Sequence, residues 1–450
     1  MKKNYYIELT IIIVLTIVLA TLVYKTTHIN LQNNNRENIM NNSHEFGSHI
    51  RNGNNSSENI SSKGNIEVTD KQELSGEYSS NSSDESAILV KNSGNLTITN
   101  SKISKYGDSS NTENSEFYGV NSGILSQKNS TLTISNSSIT TNAKGANAVF
   151  STGENSKIYI SDSTINTTGT SSSRGLDATY GGYIEANNVN ITTQGNSSAT
   201  LATDRGEGTV TANNSVLETN GSGSPIIYST GNISIDNTQG ISNGSQLVVI
   251  EGKNSATISN SSLVASGKGN RNDVDNCGVM IYQSMSGDAS EGTGTFNASN
   301  SNLSINNDSK YYETAPFFFS TNTDAIINLE NNVISYGSNI LLKACSTNEW
   351  GKSGSNGSDV TLNATNQKLS GNIEADNLST VTINLSNNSS LTGTINTKNT
   401  AQNVSLKLDT SSQLVLTDDT YVTSLEDADS TYKNINFGNY KLYVNGIAIN

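Results

Sequence analysis

Leu96-Thr97-Ile98-Thr99-Asn100-Ser101-Lys102-Ile103 alternates apolar and hydroxyl side chains, breaks at Asn-Ser, and resumes on an apolar residue. The form returns as Leu132-Thr133-Ile134-Ser135-Asn136-Ser137-Ser138-Ile139 and as Ile158-Tyr159-Ile160-Ser161-Asp162-Ser163-Thr164-Ile165. Period-two alternation marks a strand with one buried face, and Asn, Asp and Ser are residues that turn a chain sharply. Looser copies lie at Ile184 to Val189, Ile258 to Leu263, Ala298 to Leu303, Leu329 to Ile334 and Ala364 to Leu369. With weaker copies near Val210, Ile235, Leu385 and Leu408, the mean spacing is about 28 residues, within the range of solenoid repeats.

A short apolar run precedes each copy, as in Gly123-Ile124-Leu125-Ser126, Ala148-Val149-Phe150-Ser151, Leu247-Val248-Val249-Ile250 and Phe317-Phe318-Phe319-Ser320. Each repeat therefore holds two or more short strands joined by Gly/Asn/Ser turns, with no helical period. That is the pattern of an all-β, single-stranded parallel β-helix solenoid of roughly 12 coils. Coils stacked at about 4.8 Å would give a body roughly 60 Å long. The turn Asn side chains would join coil to coil as amide ladders. Pro225 and Pro316 fall at starts of apolar runs, where a missing N–H is tolerated. We expect the β-helix over 64–414. Residues 415–450, with Tyr421, Tyr432, Phe437, Tyr440 and Tyr443, read as a capping segment that closes the open end.

A core one strand wide explains why the 450 residues are only 33% hydrophobic and 15% charged, where a globular average is about half apolar and a quarter charged. The net charge of −14 would repel nucleic acid, and no Lys/Arg cluster offsets it. At the amino terminus, Met1-Lys2-Lys3 precedes an apolar stretch from Leu9 to Val23. Residues 1–24 read as a signal peptide or an uncleaved signal anchor, a hydrophobic helix in either case, and both imply export. The expected location is the cell surface, membrane-anchored, or the medium, with the membrane met only through this segment. Residues 25–63 are Asn/Ser-rich and aperiodic, and read as a disordered linker. His28, His44 and His49, all the histidines in the chain, lie there. The body is thereby deprived of a Ser-His-Asp site, a His-ligated zinc and a His base. Cys277 and Cys345 fall in equivalent runs two coils apart and offset along them, out of reach for a disulfide.

Three segments break the repeat. Arg174-Gly175-Leu176-Asp177-Ala178-Thr179-Tyr180-Gly181-Gly182 is followed one coil on by Thr203-Asp204-Arg205-Gly206-Glu207-Gly208. Aligning Leu176 with Leu201 sets Tyr180 beside Arg205 as a cation–π pair. Asp177, Asp204 and Glu207 fall within several ångströms of one another in the same alignment. This corner is the foremost ligand-binding candidate, and its alternative reading is a salt-bridged turn that fixes coil register. In the third segment Asp273 and Asp275 offer oxygen ligands of the kind calcium takes, against a plain solvated loop. No other cofactor is expected.

The apolar runs also define an outer face. With Ile124, Val149, Leu176, Leu201, Ile227, Val249, Ile281, Phe318 and Leu342 facing inward, the neighbouring residues make an outward stripe. It includes Leu125, Phe150, Tyr228, Ile250, Tyr282 and Phe319, and adds Ile226, Val248, Met280, Phe317 and Leu341. Such a stripe is either covered by long loops, as at 265–276 and 305–315, or serves as a platform for sugar rings or a partner. Trp350 reads as an exposed loop residue extending it.

The repeats, with Arg174 to Gly182, Asp204 to Gly208 and Gly278-Val279-Met280-Ile281-Tyr282-Gln283-Ser284-Met285-Ser286-Gly287-Asp288, resemble bacterial parallel β-helix proteins of the pectate-lyase-like superfamily, and within it adhesin-like exported proteins. The resemblance implies right-handed coils. The Arg-x-Pro-x-x-Arg pattern of pectate lyases is absent, which counts against lyase activity. The expectation is an adhesin-like, monomeric protein that is not an enzyme and binds a glycan or a surface protein. Its rivals are a polysaccharide-active enzyme or carbohydrate-binding module at the Arg174–Glu207 corner, and a self-assembling surface-layer component.

Overall fold

The computed structural model describes residues 60–450, which belong to one compact unit. The expected leader, and the linker up to residue 59, lie outside the described residues. No helix among the described residues is long and apolar enough to cross a membrane.

The repeat folds as its pattern dictates. Asn95–Thr99 is a strand in which Leu96 and Ile98 are buried while Thr97 and Thr99 are half exposed. Asn100 then takes a left-handed backbone, φ 50°, and Lys102–Lys105 leaves as a second strand with Ile103 buried. One coil later the same positions recur in register: Leu96 against Leu132, Ile98 against Ile134, Ile103 against Ile139, all parallel. In Lys157–Thr167 and Tyr183–Thr193 the two strands fuse and bend through left-handed Asp162 and Asn188. The left-handed region costs most L-residues about 1–2 kcal/mol, whereas Asn and Asp enter it readily, so the corner repeats Asn at 136, 214, 237, 260 and 300.

Two ladders hold that corner. On the surface, Asn237 Nδ2 donates to Asn214 Oδ1 at 2.7 Å, and Asn214 Nδ2 to Asn187 Oδ1 at 2.7 Å. Beneath them runs a buried hydroxyl ladder that the Asn pattern did not announce. The N–H of Ser101 donates to Ser137 Oγ at 3.1 Å, Ser137 N–H to Ser163 Oγ at 3.1 Å, and Thr238 N–H to Ser261 Oγ at 3.0 Å. These hydroxyls satisfy backbone donors that a corner leaves unpaired inside the body, where each would otherwise cost about 1–3 kcal/mol.

The apolar runs form a twelve-stranded parallel sheet from Lys63–Val68 to Asn372–Ala375. Its arrangement with the other parallel stacks is compatible with a β-helix solenoid. Coils differ in length: Ile227 to Val248 is the shortest step along this sheet, and Val279 to Phe318 the longest. One buried cluster continues from Val68 to Leu442. Parallel pairing persists beyond 414, with Leu414 against Ile435 and Ser405 against Ser424. The chain ends in a small sheet of Thr420–Val422, Leu442–Val444 and Ile447–Ala448, whose last two strands are antiparallel.

Two expectations are corrected here. The first is the inward register: Ile227 pairs with Val248, which pairs with Val279. Val248 and Ile250 therefore face the main core, and Val249 faces outward. Ile226, Phe317 and Leu341 likewise belong to the main core. All four residues of Val248–Glu251 are buried, so alternation carried no signal there. The second is the absence of helix. Thr112–Tyr118 is an α-helix, α1, capped by Asn111, whose side chain accepts from Asn114 N–H at 3.1 Å, and ended by left-handed Gly119, φ 67°.

Candidate functional site

Helix α1 lies over the outer face of the twelve-stranded sheet, where the irregular segments meet. The row Asp177, Ala202, Tyr228, Val249, Met280, Phe319 follows from the strand register and points outward. Val249, Met280 and Phe319 are covered by Cys277 and Trp350 into a second apolar cluster, with Tyr228, Tyr282 and Cys345 at its margin. From Val249 to Phe319 the stripe is thus buried on both faces, while Tyr228 and Tyr282 stay partly exposed. Phe319 is 1% exposed and out of a ligand's reach. Trp350 is not an exposed loop residue: it is 7% exposed and meets Tyr282 edge-on, centroids 5.2 Å apart. Cys277 and Cys345 are both free thiols.

The corner forms around one cation. Arg174, buried, reaches Asp204 Oδ2 at 2.8 Å, Asp177 Oδ2 at 3.5 Å and Glu116 Oε1 of α1 at 3.7 Å. Burial draws its pKa down, and the three carboxylates more than reverse this. Asp177 and Asp204 move the other way. Burial lifts both above the ordinary carboxylate range, Arg174 opposes the lift, and Glu116 adds to it. Neither oxygen of Asp177 receives a hydrogen bond, nor does Oδ2 of Asp204, whose contact with Arg174 is ionic but misaligned.

Leu176 pairs with Leu201, as aligned from the sequence, and Tyr180 N–H donates to the Arg205 carbonyl at 3.0 Å. The cation–π partner differs, however. Arg205 lies over Phe117, 3.9 Å from the ring centroid, while Tyr180 stacks on Tyr118 at 5.3 Å. Helix α1, invisible to the repeat, supplies both rings. Arg205 also pairs with Asp288 Oδ1 at 2.5 Å. Glu207 stands apart from Asp177 and Asp204, bridging to Lys253 at 2.8 Å in a separate surface groove. The Asp275 carboxylate accepts the N–H groups of Asn270 at 3.0 Å and Arg271 at 2.8 Å, clasping the loop. Asp273 is exposed and accepts from Asn276. Among the described residues no group of three or more His, Cys, Asp or Glu is arranged to hold a metal.

Between these parts opens a cleft of about 420 Å³, whose lining includes Glu116, Phe117, Arg174, Asp204, Tyr228, Tyr282 and Trp350. Glu251 joins them, 1% exposed. Its carboxylate accepts from the hydroxyls of Tyr228 at 2.9 Å, Tyr282 at 2.8 Å and Ser284. Burial raises its pKa, and those hydroxyls restrain the rise. Glu116, Phe117, Glu251, Ser284 and Asp288 were missed as site residues. The signal for the first two was the pairing of Asn111 with Gly119 around a turn of helix. Glu251 was hidden by the slipped register. Comparison with protein-family models, curated proteins and solved structures finds no match to this chain.

Proposed function

We propose that this chain is an exported, adhesin-like parallel β-helix protein, right-handed as in the pectate-lyase-like superfamily, that binds a glycan at the cleft beside Arg174. A solenoid of this kind would present the cleft on a rigid body, with residues 1–24 as leader or anchor and the final strands as its cap. One observation carries the reading. A concave site with Tyr228, Tyr282, Trp350 and buried carboxylates sits on the outer face, combining apolar rings with fixed polar groups as hydroxylated ligands require. Binding on a glycan array, lost in Tyr282→Ala with the fold intact by circular dichroism, is the expected result. Array binding unchanged by that substitution would remove the site assignment.

A second reading has its own support. Asp204 and Glu251 line the same cleft with carboxyl groups lifted toward the protonated form, the condition for a general acid in glycoside hydrolysis. Release of reducing ends from a bound polysaccharide, abolished by Asp204→Asn, would favour this enzyme over the adhesin.

A further inference from the structure

The charge in this cleft is unbalanced. Five acidic side chains line it, those of Glu116, Asp204, Glu251, Asp275 and Asp288, against the guanidinium groups of Arg174 and the exposed Arg271. Arg174 is shared among three acids, one of them Asp177 behind the wall, and Asp288 is taken by Arg205. Glu251 is buried and receives three hydroxyl hydrogen bonds, yet no salt bridge reaches it among the described residues. Buried charges are ordinarily paired, because removal from water is costly. Asp204, 3% exposed and lining the same cleft, adds an Oδ2 that no hydrogen bond satisfies, its one partner being the Arg174 guanidinium at 2.8 Å. Tyr228 lies within electrostatic reach of both Glu251 and Asp204. Partly exposed phenol rings at 228 and 282 stand beside these acids, and aromatic faces attract cations.

We propose that the ligand of this cleft is a protonated amine carried on a sugar ring, an amino-sugar residue of a glycan. The ammonium group would lie against Glu251 and Asp204, with the ring on Tyr228 and Tyr282. The inference rests on the glycan reading and supplies its substrate class. A lysine side chain offers the same ammonium on a slim alkyl stem. The walls here mix hydroxyls and carboxylates with the rings, which suits a hydroxylated ring better than an alkyl chain. Uronate-bearing polymers are disfavoured, since their carboxylates would meet a cleft of like sign.

The test is calorimetric titration of the full-length chain with four probes: the glucosamine tetramer, its fully N-acetylated counterpart, a galacturonate tetramer and tetralysine. Acetylation removes the charge and preserves the ring. The expected result is binding of the glucosamine tetramer at least tenfold tighter than any other probe. Raised salt should weaken it. So should a fall in pH toward the ordinary carboxylate range, as Glu251 takes up a proton. Glu251→Gln should lower the affinity at least tenfold. Asp204→Asn is the second variant should the first misfold. Equal or tighter binding of the N-acetylated tetramer overturns the amine assignment. Preference for galacturonate overturns it while leaving a glycan-binding protein. Preference for tetralysine moves the ligand from saccharide to protein, and no binding to any probe overturns the proposal.

Discussion

Arg174 holds three acids from three stretches of chain, Glu116, Asp177 and Asp204. Its removal leaves those three acids without the cation that pairs them. Breaking a buried pair in this way costs about 3–5 kcal/mol. Arg174→Met should lower the stability by that order in urea unfolding, with the loss confined to variants that keep the acids. Arg174→Met combined with Asp177→Asn and Asp204→Asn should recover part of it. The same cluster sets a pH dependence whose sign follows from binding. Asp177 and Asp204 hold protons more tightly folded than unfolded. Between the ordinary carboxylate range and neutrality the folded state therefore carries more protons, and stability falls as pH rises through that window. Asp84, Asp376 and Asp409 have lowered values. Their contribution is present above the ordinary range and is lost only as pH falls below it, so the two effects occupy different windows. Urea midpoints at pH 5 and pH 7.5 should show the protein more stable at the lower value, and Asp177→Asn should flatten that difference. A midpoint rising toward pH 7.5 in the unsubstituted chain would remove the protonated cluster from consideration.

At the scale of the element, the corner and the helix show what a repeat reveals and what it conceals. The Leu96–Ile103 pattern gave strand, corner and strand because period-two burial and left-handed Asn leave a local mark. The corner makes a sharp comparison possible. Asn237 sits at φ 46° and donates to Asn214. Asn237→Ala should cost about 1–2 kcal/mol, the strain of a left-handed Cβ residue, whereas Asn237→Gly keeps the turn and should cost clearly less. Thermal unfolding of the pair measures the difference. Register in Val248–Glu251 was illegible for the opposite reason: loops cover the outer face, so both faces are apolar and a one-residue slip goes unseen. Helix α1 escaped because seven residues are too few for a periodic signal and too few to be stable alone. Its caps and its buried Phe117 hold it in place. Phe117 and Glu116 line the site and went unread along with it. Gly119 is where this docking is most exposed to change. Its φ is 67°, and a Cβ there would meet the Phe150 ring at 2.5 Å. Gly119→Ala should raise hydrogen exchange over 112–118 and weaken ligand binding together. Exchange unchanged from the parent chain would show that the helix docks without this contact.

Over the whole molecule, stability is assembled coil by coil. Each coil contacts mainly the coils before and after it, and the repeats share one continuous core. In such arrays stability approximates a sum of repeat and nearest-neighbour terms, and the ends need polar covers. The net charge of −14 favours separate molecules in solution, but charge does not protect an open strand edge, which templates pairing with another chain. The final strands are the proposed cover of the carboxyl-terminal end. Val404, Leu406 and Leu408 are buried in a strand that pairs with Ser424–Asp427. Leu414 pairs with Ile435, and the closing antiparallel turn of Leu442–Val444 on Ile447–Ala448 ends the parallel stacking. Tyr421 and Tyr443 add a flat stack, centroids 4.7 Å apart, across that small sheet. Deleting residues 418–450 would uncover Leu406, Leu414 and Ile395, each at most 1% exposed in the intact chain, together with the backbone groups of their strands. The truncated protein should keep its β-sheet circular dichroism, because the preceding coils retain their neighbours. It should associate with rising concentration, while the full-length chain stays monomeric by light scattering. A truncated chain that remained monomeric over the same range would show that the last coils need no cover. A full-length chain that assembled in order would instead point to these ends as joints between molecules.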